Sequence, residues 1–295
     1  MELILKKIGD ACILKGTFME YSKQYVQMKE NVLSPRTVRE YLLIPDRLPR
    51  WFVGYRISDI TQEDIQMCVN ELSATLSPKT VRTYHGFITA VFGTFRPQMV
   101  IDTTLPQKRR HEPYIPSEED IKKILDYSKD TQYDVALKLA CLGLRRSEIC
   151  CLEITDLDEN DVIHINKALV EDKNNEWIVK PTKTTMSERE VPIPHDLAEK
   201  IRRQGYVFNQ APSTISNYLR RTQDKLGMEH FSVHKMRHFF ASRLMDMGVG
   251  QKDIMSLGGW VSNTTVMNIY QHKMRAKTEE GRREISETYT KDLWS

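Results

Sequence analysis

No apolar run among the 295 residues approaches the roughly 18 needed to cross a bilayer, so no membrane partner is expected. The opening segment, MELILKKIGD, has too short an apolar stretch for a secretory signal. Cysteine is scarce. The five residues Cys12, Cys68, Cys141, Cys150 and Cys151 are odd in number and form no C-x-x-C pair, and the adjacent Cys150 and Cys151 cannot easily bridge. They read as reduced thiols, mostly buried on helices, in a cytoplasmic protein. A dominant charge is lacking too. The net charge of +3 neither demands nor excludes nucleic acid, so local clustering must decide. With 40% apolar and 28% charged residues the composition is that of an ordinary soluble chain, and its length suggests about two domains.

Two segments of the first third resemble each other: SPRTVREY from Ser34 and SPKTVRTY from Ser77. In each, Ser is a natural N-cap and Pro takes the first helical position. A helix N-terminus with free N–H groups, a Thr hydroxyl and basic side chains is suited to a phosphate. Ser34, Arg36, Thr37 and Arg39, with Ser77, Lys79, Thr80 and Arg82, are therefore candidate DNA-backbone contacts; two ordinary capped helices would look the same. ITQEDIQMCVNEL, Ile60 to Leu72, reads as another capped helix, with Ile65, Cys68, Val69 and Leu72 on one face. Residues 12–100 thus read as an all-helical domain. Residues 101–113 follow as a Pro-rich linker in which Lys108, Arg109 and Arg110 could lie along a phosphate backbone or serve only solubility.

From residue 114 the pattern is helical around a short β insert. VIHINKALV, EWIVKPTKT and REVPIP alternate and are rich in β-branched residues, which predicts a small three-stranded antiparallel sheet. Downstream, SVHKMRHFFASRL crowds basic side chains onto a helix. His234 and His238 have the spacing of a zinc-protease helix, but that chemistry needs a Glu after the first His, and Lys235 stands there. What remains is His-x-x-Arg, a proton carrier beside an anion-gripping group. Three more pieces accompany it: GLRRSE from Gly143, TKTTMSEREVPI from Thr182, and LGGWVSNTTVMNIYQH from Leu257.

These four motifs, in this order, resemble the tyrosine recombinase (phage integrase) family. The catalytic resemblance runs from about Tyr114 to His272, and the two-domain plan extends it to nearly the whole chain. The resemblance implies a mainly α fold with a small three-stranded sheet, a helical core-binding (SAM-like) domain over 12–100, and a catalytic domain with a tail helix over 114–295, closing as a clamp on duplex DNA. It puts the catalytic roles on Arg145, Lys183, His234, Arg237, Trp260 and the nucleophile Tyr270, with Glu148 and His272 as structural support. Trp260 stands where most members have His. Arg146 is a rival for Arg145, and Lys180 for Lys183. The resemblance further implies a tetrameric synapse on two sites, accessory DNA-bending or directionality proteins, and a bacterial, phage or mobile-element host.

The chemistry agrees with that assignment. Two guanidiniums can clamp the non-bridging oxygens of a phosphodiester without a metal. An indole N–H can add a donor. A tyrosine, ordinarily ionising near pH ~10, needs a proton acceptor such as a histidine. A lysine can protonate the 5′ leaving oxygen. The product is a 3′-phosphotyrosine whose resealing needs no ATP, so no cofactor and no metal are expected. A type IB topoisomerase would use the same groups, and a catalytically silent DNA-binding factor is the other alternative.

Overall fold

The computed structural model describes residues 14–108, 114–181, 188–264 and 266–269. The fold is mainly α-helical with small antiparallel sheets, and divides into two compact units: Met1–Arg110 with Glu171–Glu176, and His111–Val170 with Trp177–Ser295.

The first unit contains α1 (Phe18–Lys29), α2 (Pro35–Leu43), α3 (Arg50–Gly54), α4 (Gln62–Thr75) and α5 (Pro78–Phe95). Each long helix starts where a side chain can satisfy an end N–H. Thr17 and Glu20 form a capping box on α1, and Thr61 and Asp64 form one on α4. Ser34 and Ser77 accept from the backbone N–H of Thr37 and Thr80, both at 3.2 Å. The helices bury Phe18, Phe52 and Phe92 at the centre, with Phe18 4.9 Å from Phe52 and 5.6 Å from Phe92 between ring centroids.

The described part of the segment after α5 is held against this unit. Gln62 and Gln66 accept from the backbone N–H of Asp102 and Thr104 at 3.2 and 2.9 Å. Ile101 and Leu105 pack on the unit's core, because their apolar side chains find its surface there. Residues 109–113 lie outside the described residues, so Arg109 and Arg110 have no described place.

The second unit contains α6 (Glu118–Ser128), α7 (Asp134–Cys141), α8 (Arg146–Ile149), β1 (Val162–Ile165), β2 (Lys167–Glu171), β3 (Trp177–Pro181), β4 (Arg189–Pro192), α9 (His195–Gln204), α10 (Pro212–Leu226), α11 (Val233–Asp246) and α12 (Gln251–Gly258). Its sheet differs from the expected three strands. VIHINKALV divides at Asn166: β1 pairs antiparallel with β4, matching Ile163 to Val191, while β2 pairs with β3. Ile163, Ile165 and Val191 face the core on alternate positions, whereas β2 is half-buried throughout, so the two halves have different partners. The main core gathers Leu137, Leu139, Ile149, Leu197, Ile201, Ile215 and Met236. A smaller cluster joins Ala241, Ile254, Trp260, Val266 and Ile269. α11 joins the two, with Met236 in the first and Ala241 in the second.

Candidate active site

The site is built on backbone carbonyls. Gly143, in the α7–α8 turn, has φ 91°, a conformation that only glycine adopts without strain. A Cβ there would also lie 2.6 Å from Phe240 Cδ1, so the turn can close against α11 only without a side chain. At the other wall, α12 ends at Gly259 in the left-handed region, with φ 61°. Gly259 N–H donates to Ser256 O and Trp260 N–H to Met255 O, each at 2.9 Å, the αL closure of a helix end. The next three carbonyls, of Leu257, Gly258 and Gly259, are left for other donors.

Each of the three takes a different arginine. Arg189 Nε donates to Leu257 O at 3.1 Å, Arg237 Nη2 to Gly258 O, and Arg145 Nη2 to Gly259 O at 2.5 Å. Gly143 O accepts from Arg237 Nη1 and, at 3.3 Å, from Arg189 Nη2. The Glu148 carboxylate completes the frame. It accepts from Arg145 Nη1 at 2.6 Å, Arg145 N at 2.7 Å, and Arg189 Nη1 and Nη2 at 3.2 and 2.8 Å. The negative end of the α12 dipole and one buried carboxylate thus hold three mutually repelling cations together.

The ionisation of these groups records that crowding. Burial pushes the Glu148 carboxyl up, but the Arg189 hydrogen bonds and the charges of Arg189 and Arg145 outweigh it and hold the group below the usual range. Burial, followed by the Arg145 and Arg189 charges, lowers the Arg237 pKa. The Arg237 side chain is 1% exposed, and its Nε has no hydrogen-bond partner among the described residues. Three guanidiniums against one carboxylate leave two net positive charges, a setting that attracts a phosphate oxygen.

The Trp260 ring lies over Arg237, with the guanidinium carbon 4.1 Å from the ring centroid, so its π face meets the cation. Gly258 makes room, since a Cβ there would meet Trp260 Cζ3 at 1.8 Å.

α11 presents His234 one turn before Arg237. His234 is exposed; partial desolvation, then the Arg237, Lys235 and Arg145 charges, lowers its pKa, which favours the neutral imidazole that can accept a proton. His238 packs edge-to-face against it, with centroids 4.7 Å apart, and is buried.

The structure therefore gathers Arg145, Glu148, His234, Arg237 and Trp260, and turns Arg146 away to Ser216 Oγ at 2.5 Å. Lys180 lies exposed on β3. Lys183, Tyr270 and His272 lie outside the described residues; the chain is helical over 266–269, immediately before Tyr270. Sequence reasoning missed Arg189. The available signal was the period of β4, which puts Arg189 on the same face as the buried Val191.

The candidate DNA contacts of the first unit are mostly engaged. The Ser34 and Ser77 hydroxyls pair with those of Thr37 and Thr80 at 2.7 and 2.9 Å. Arg82 Nη2 donates to Pro106 O at 3.0 Å. Within this unit Arg39 Nη1 lies 3.0 Å from Glu171, and Arg36 lies 3.6 Å from Glu40. Lys79 and Lys108 are exposed.

Residues 117–277 match the phage integrase family, a stretch that covers more than half of the chain and every motif of the site. The chain belongs to the phage integrase family. Residues 17–73 match the N-terminal SAM-like domain of phage integrases. The integrase is 23% identical over 289 residues to tyrosine recombinase XerD of Rickettsia bellii, covering 90% of each chain. It is 28% identical over 269 residues to a tyrosine recombinase XerC-like protein of Caldanaerobacter subterraneus, covering 74% of this chain and 69% of that one. In fold it resembles the Tn1549 transposon integrase in complex with transposon right end DNA, with a TM-score of 0.71 at 19% identity over 90% of this chain and 99% of that one. It also resembles lambda integrase, solved as a tetramer bound to a Holliday junction, with a TM-score of 0.63 at 17% identity over 89% and 84% of the two chains.

Proposed function

We propose that this integrase is a site-specific DNA recombinase that cleaves and rejoins duplex DNA through a covalent 3′-phosphotyrosine. The observation that carries the reading is the joint placement of Arg145 and Arg237 on the last carbonyls of α12, with His234 one turn before Arg237 on α11 and within reach of both charges. The Tyr270 oxygen attacks the scissile phosphorus. His234 accepts the phenolic proton, since a neutral imidazole beside cations can take a proton that an imidazolium could not. Arg145 and Arg237 stabilise the charge that grows on the non-bridging oxygens. Lys183 gives a proton to the departing 5′ oxygen. The P–O5′ bond breaks as the P–O(Tyr) bond forms, so the phosphate remains a diester and a 5′-hydroxyl can reverse the step without ATP.

The working form in this proposal is a tetramer on two DNA sites, made by a core-binding domain over 12–100, a linker over 101–113 and a catalytic domain over 114–295. Relatives named as tyrosine recombinases support strand exchange over simple relaxation of supercoils. Exposed Lys79 and Lys108 are the candidate backbone contacts that the first unit leaves unpaired among the described residues. The reading is tested by incubating the chain with a library of nicked duplexes and sequencing the strands that become attached. Recovery of one sequence class, joined through its 3′ phosphate, is expected; recovery of no attached strand, or of strands attached through the 5′ end, would refute it.

A further inference from the structure

Arg189 has no part in the bond-making proposed above, yet it touches the supports of both arginines that do. Its side chain is 4% exposed. It shares the Glu148 carboxylate with Arg145, both Nη atoms donating at 3.2 and 2.8 Å. It shares Gly143 O with Arg237. Through Nε it takes the first carbonyl of the α12 run whose next two carbonyls hold Arg237 and Arg145. A surface ion pair would need only one of these contacts.

We infer that Arg189 is a positioning residue for phosphoryl transfer, and the inference rests on the function proposed above. Two physical effects follow from the contacts. The first is aim. With Arg189 absent, the buried Glu148 carboxylate would have Arg145 as its remaining described cation and would draw that guanidinium into a closed bidentate pair, withdrawing donors from a phosphate. The second is charge. A phosphodiester carries one negative charge and gathers a second as the nucleophile adds. Arg145, Arg237 and Glu148 alone supply one net positive charge; Arg189 raises it to two, matching the charge of the transition state more closely than that of the ground state. Arg189 also starts β4, the strand entered from the segment that carries Lys183 in sequence.

The test uses the full chain and the DNA site recovered as above, measuring adduct formation and DNA affinity separately. Arg189→Lys keeps one charge but cannot reach Glu148, Gly143 and Leu257 together, and should slow adduct formation about tenfold with DNA affinity unchanged. Arg189→Met should slow it by about 100-fold or more. In the Glu148→Gln/Arg189→Met double variant the carboxylate that would capture Arg145 is gone, and the rate should recover at least about tenfold over Arg189→Met. A purely structural role would not produce that recovery. Parental rates in Arg189→Lys would overturn the inference, as would a double variant no faster than Arg189→Met. If Arg189→Met fails to fold, the rate of Arg189→Lys decides alone. Absence of any adduct with the parent chain overturns the function itself and this inference with it, whereas a parental adduct undiminished in Arg189→Lys overturns this inference only.

Discussion

The guanidinium of Arg237 lies 4.1 Å from the centre of the Trp260 ring, and the ring has room there because Gly258 carries no Cβ. Trp260 therefore covers a buried cation as well as packing with Ala241, Ile254, Val266 and Ile269. Trp260→Ala should destabilise the chain by about 3–5 kcal/mol, the cost of removing a buried aromatic. Trp260→Phe, which keeps a ring over the cation, should cost less. Urea unfolding of the two variants checks this; equal losses would show that the ring's face contributes nothing at Arg237.

Gly143 bears two constraints at once, a positive φ and the Phe240 ring against its Cα. Gly143→Ala should cost at least about 2 kcal/mol, from left-handed strain together with overpacking. Trimming the ring in Gly143→Ala/Phe240→Leu should recover part of the loss, because only the overpacking is relieved. Thermal melting that shows no recovery would locate the whole cost in the backbone.

These two glycines mark the limit of what the chain reveals as letters. Arg145, His234 and Arg237 are legible because each sits in a short local pattern whose chemistry is distinctive. Glu148 is legible as the acid three residues after Arg145. Arg189 is not, because on a strand it looks like any exposed cation until Val191 is known to face inward. The three carbonyls of Leu257, Gly258 and Gly259 carry no side-chain signal at all; their role depends on where α12 ends and which elements lie beside that end. The division of VIHINKALV between two sheets fails to show for the same reason, since alternation fixes which faces are buried but not which strand is the partner. The helices of the first unit are legible from their caps, whereas the packing of residues 101–105 against that unit is a long-range fact.

His238 should make stability depend on pH. Burial, followed by the His234, Lys235 and Arg237 charges that face it, lowers its pKa from 6.5 to about 4. The unfolded chain therefore takes up a proton as the pH falls below 6.5 while the folded chain does not until about 4. The stabilisation is fully present above that window and is lost progressively as pH falls through it. His234, lowered in the same direction, adds to the trend. In chemical denaturation at pH 7.5 and at pH 4.5, the parent should lose more stability than His238→Phe; equal losses would remove His238 from the account.

The acid and the charge clamp can be separated by the leaving group. Lys183→Ala should regain cleavage on a substrate with sulfur at the 5′ leaving position, because a thiolate departs without a proton. Arg145→Ala should not, since its work is on the non-bridging oxygens. Equal recovery of both variants in single-turnover cleavage would show that the acid is another residue.

In the proposed mechanism Tyr270 becomes joined to DNA in a reaction that needs no metal. Trypsin releases Asp253 to Lys273 as one peptide, in which Tyr270 is the single tyrosine. After reaction with the recovered DNA site in EDTA, followed by nuclease and trypsin, mass spectrometry should find that peptide carrying a 3′-phosphonucleotide, and the adduct should vanish in Tyr270→Phe. An adduct on another peptide, one that persists in Tyr270→Phe, or one that forms only when magnesium is restored would rule this mechanism out.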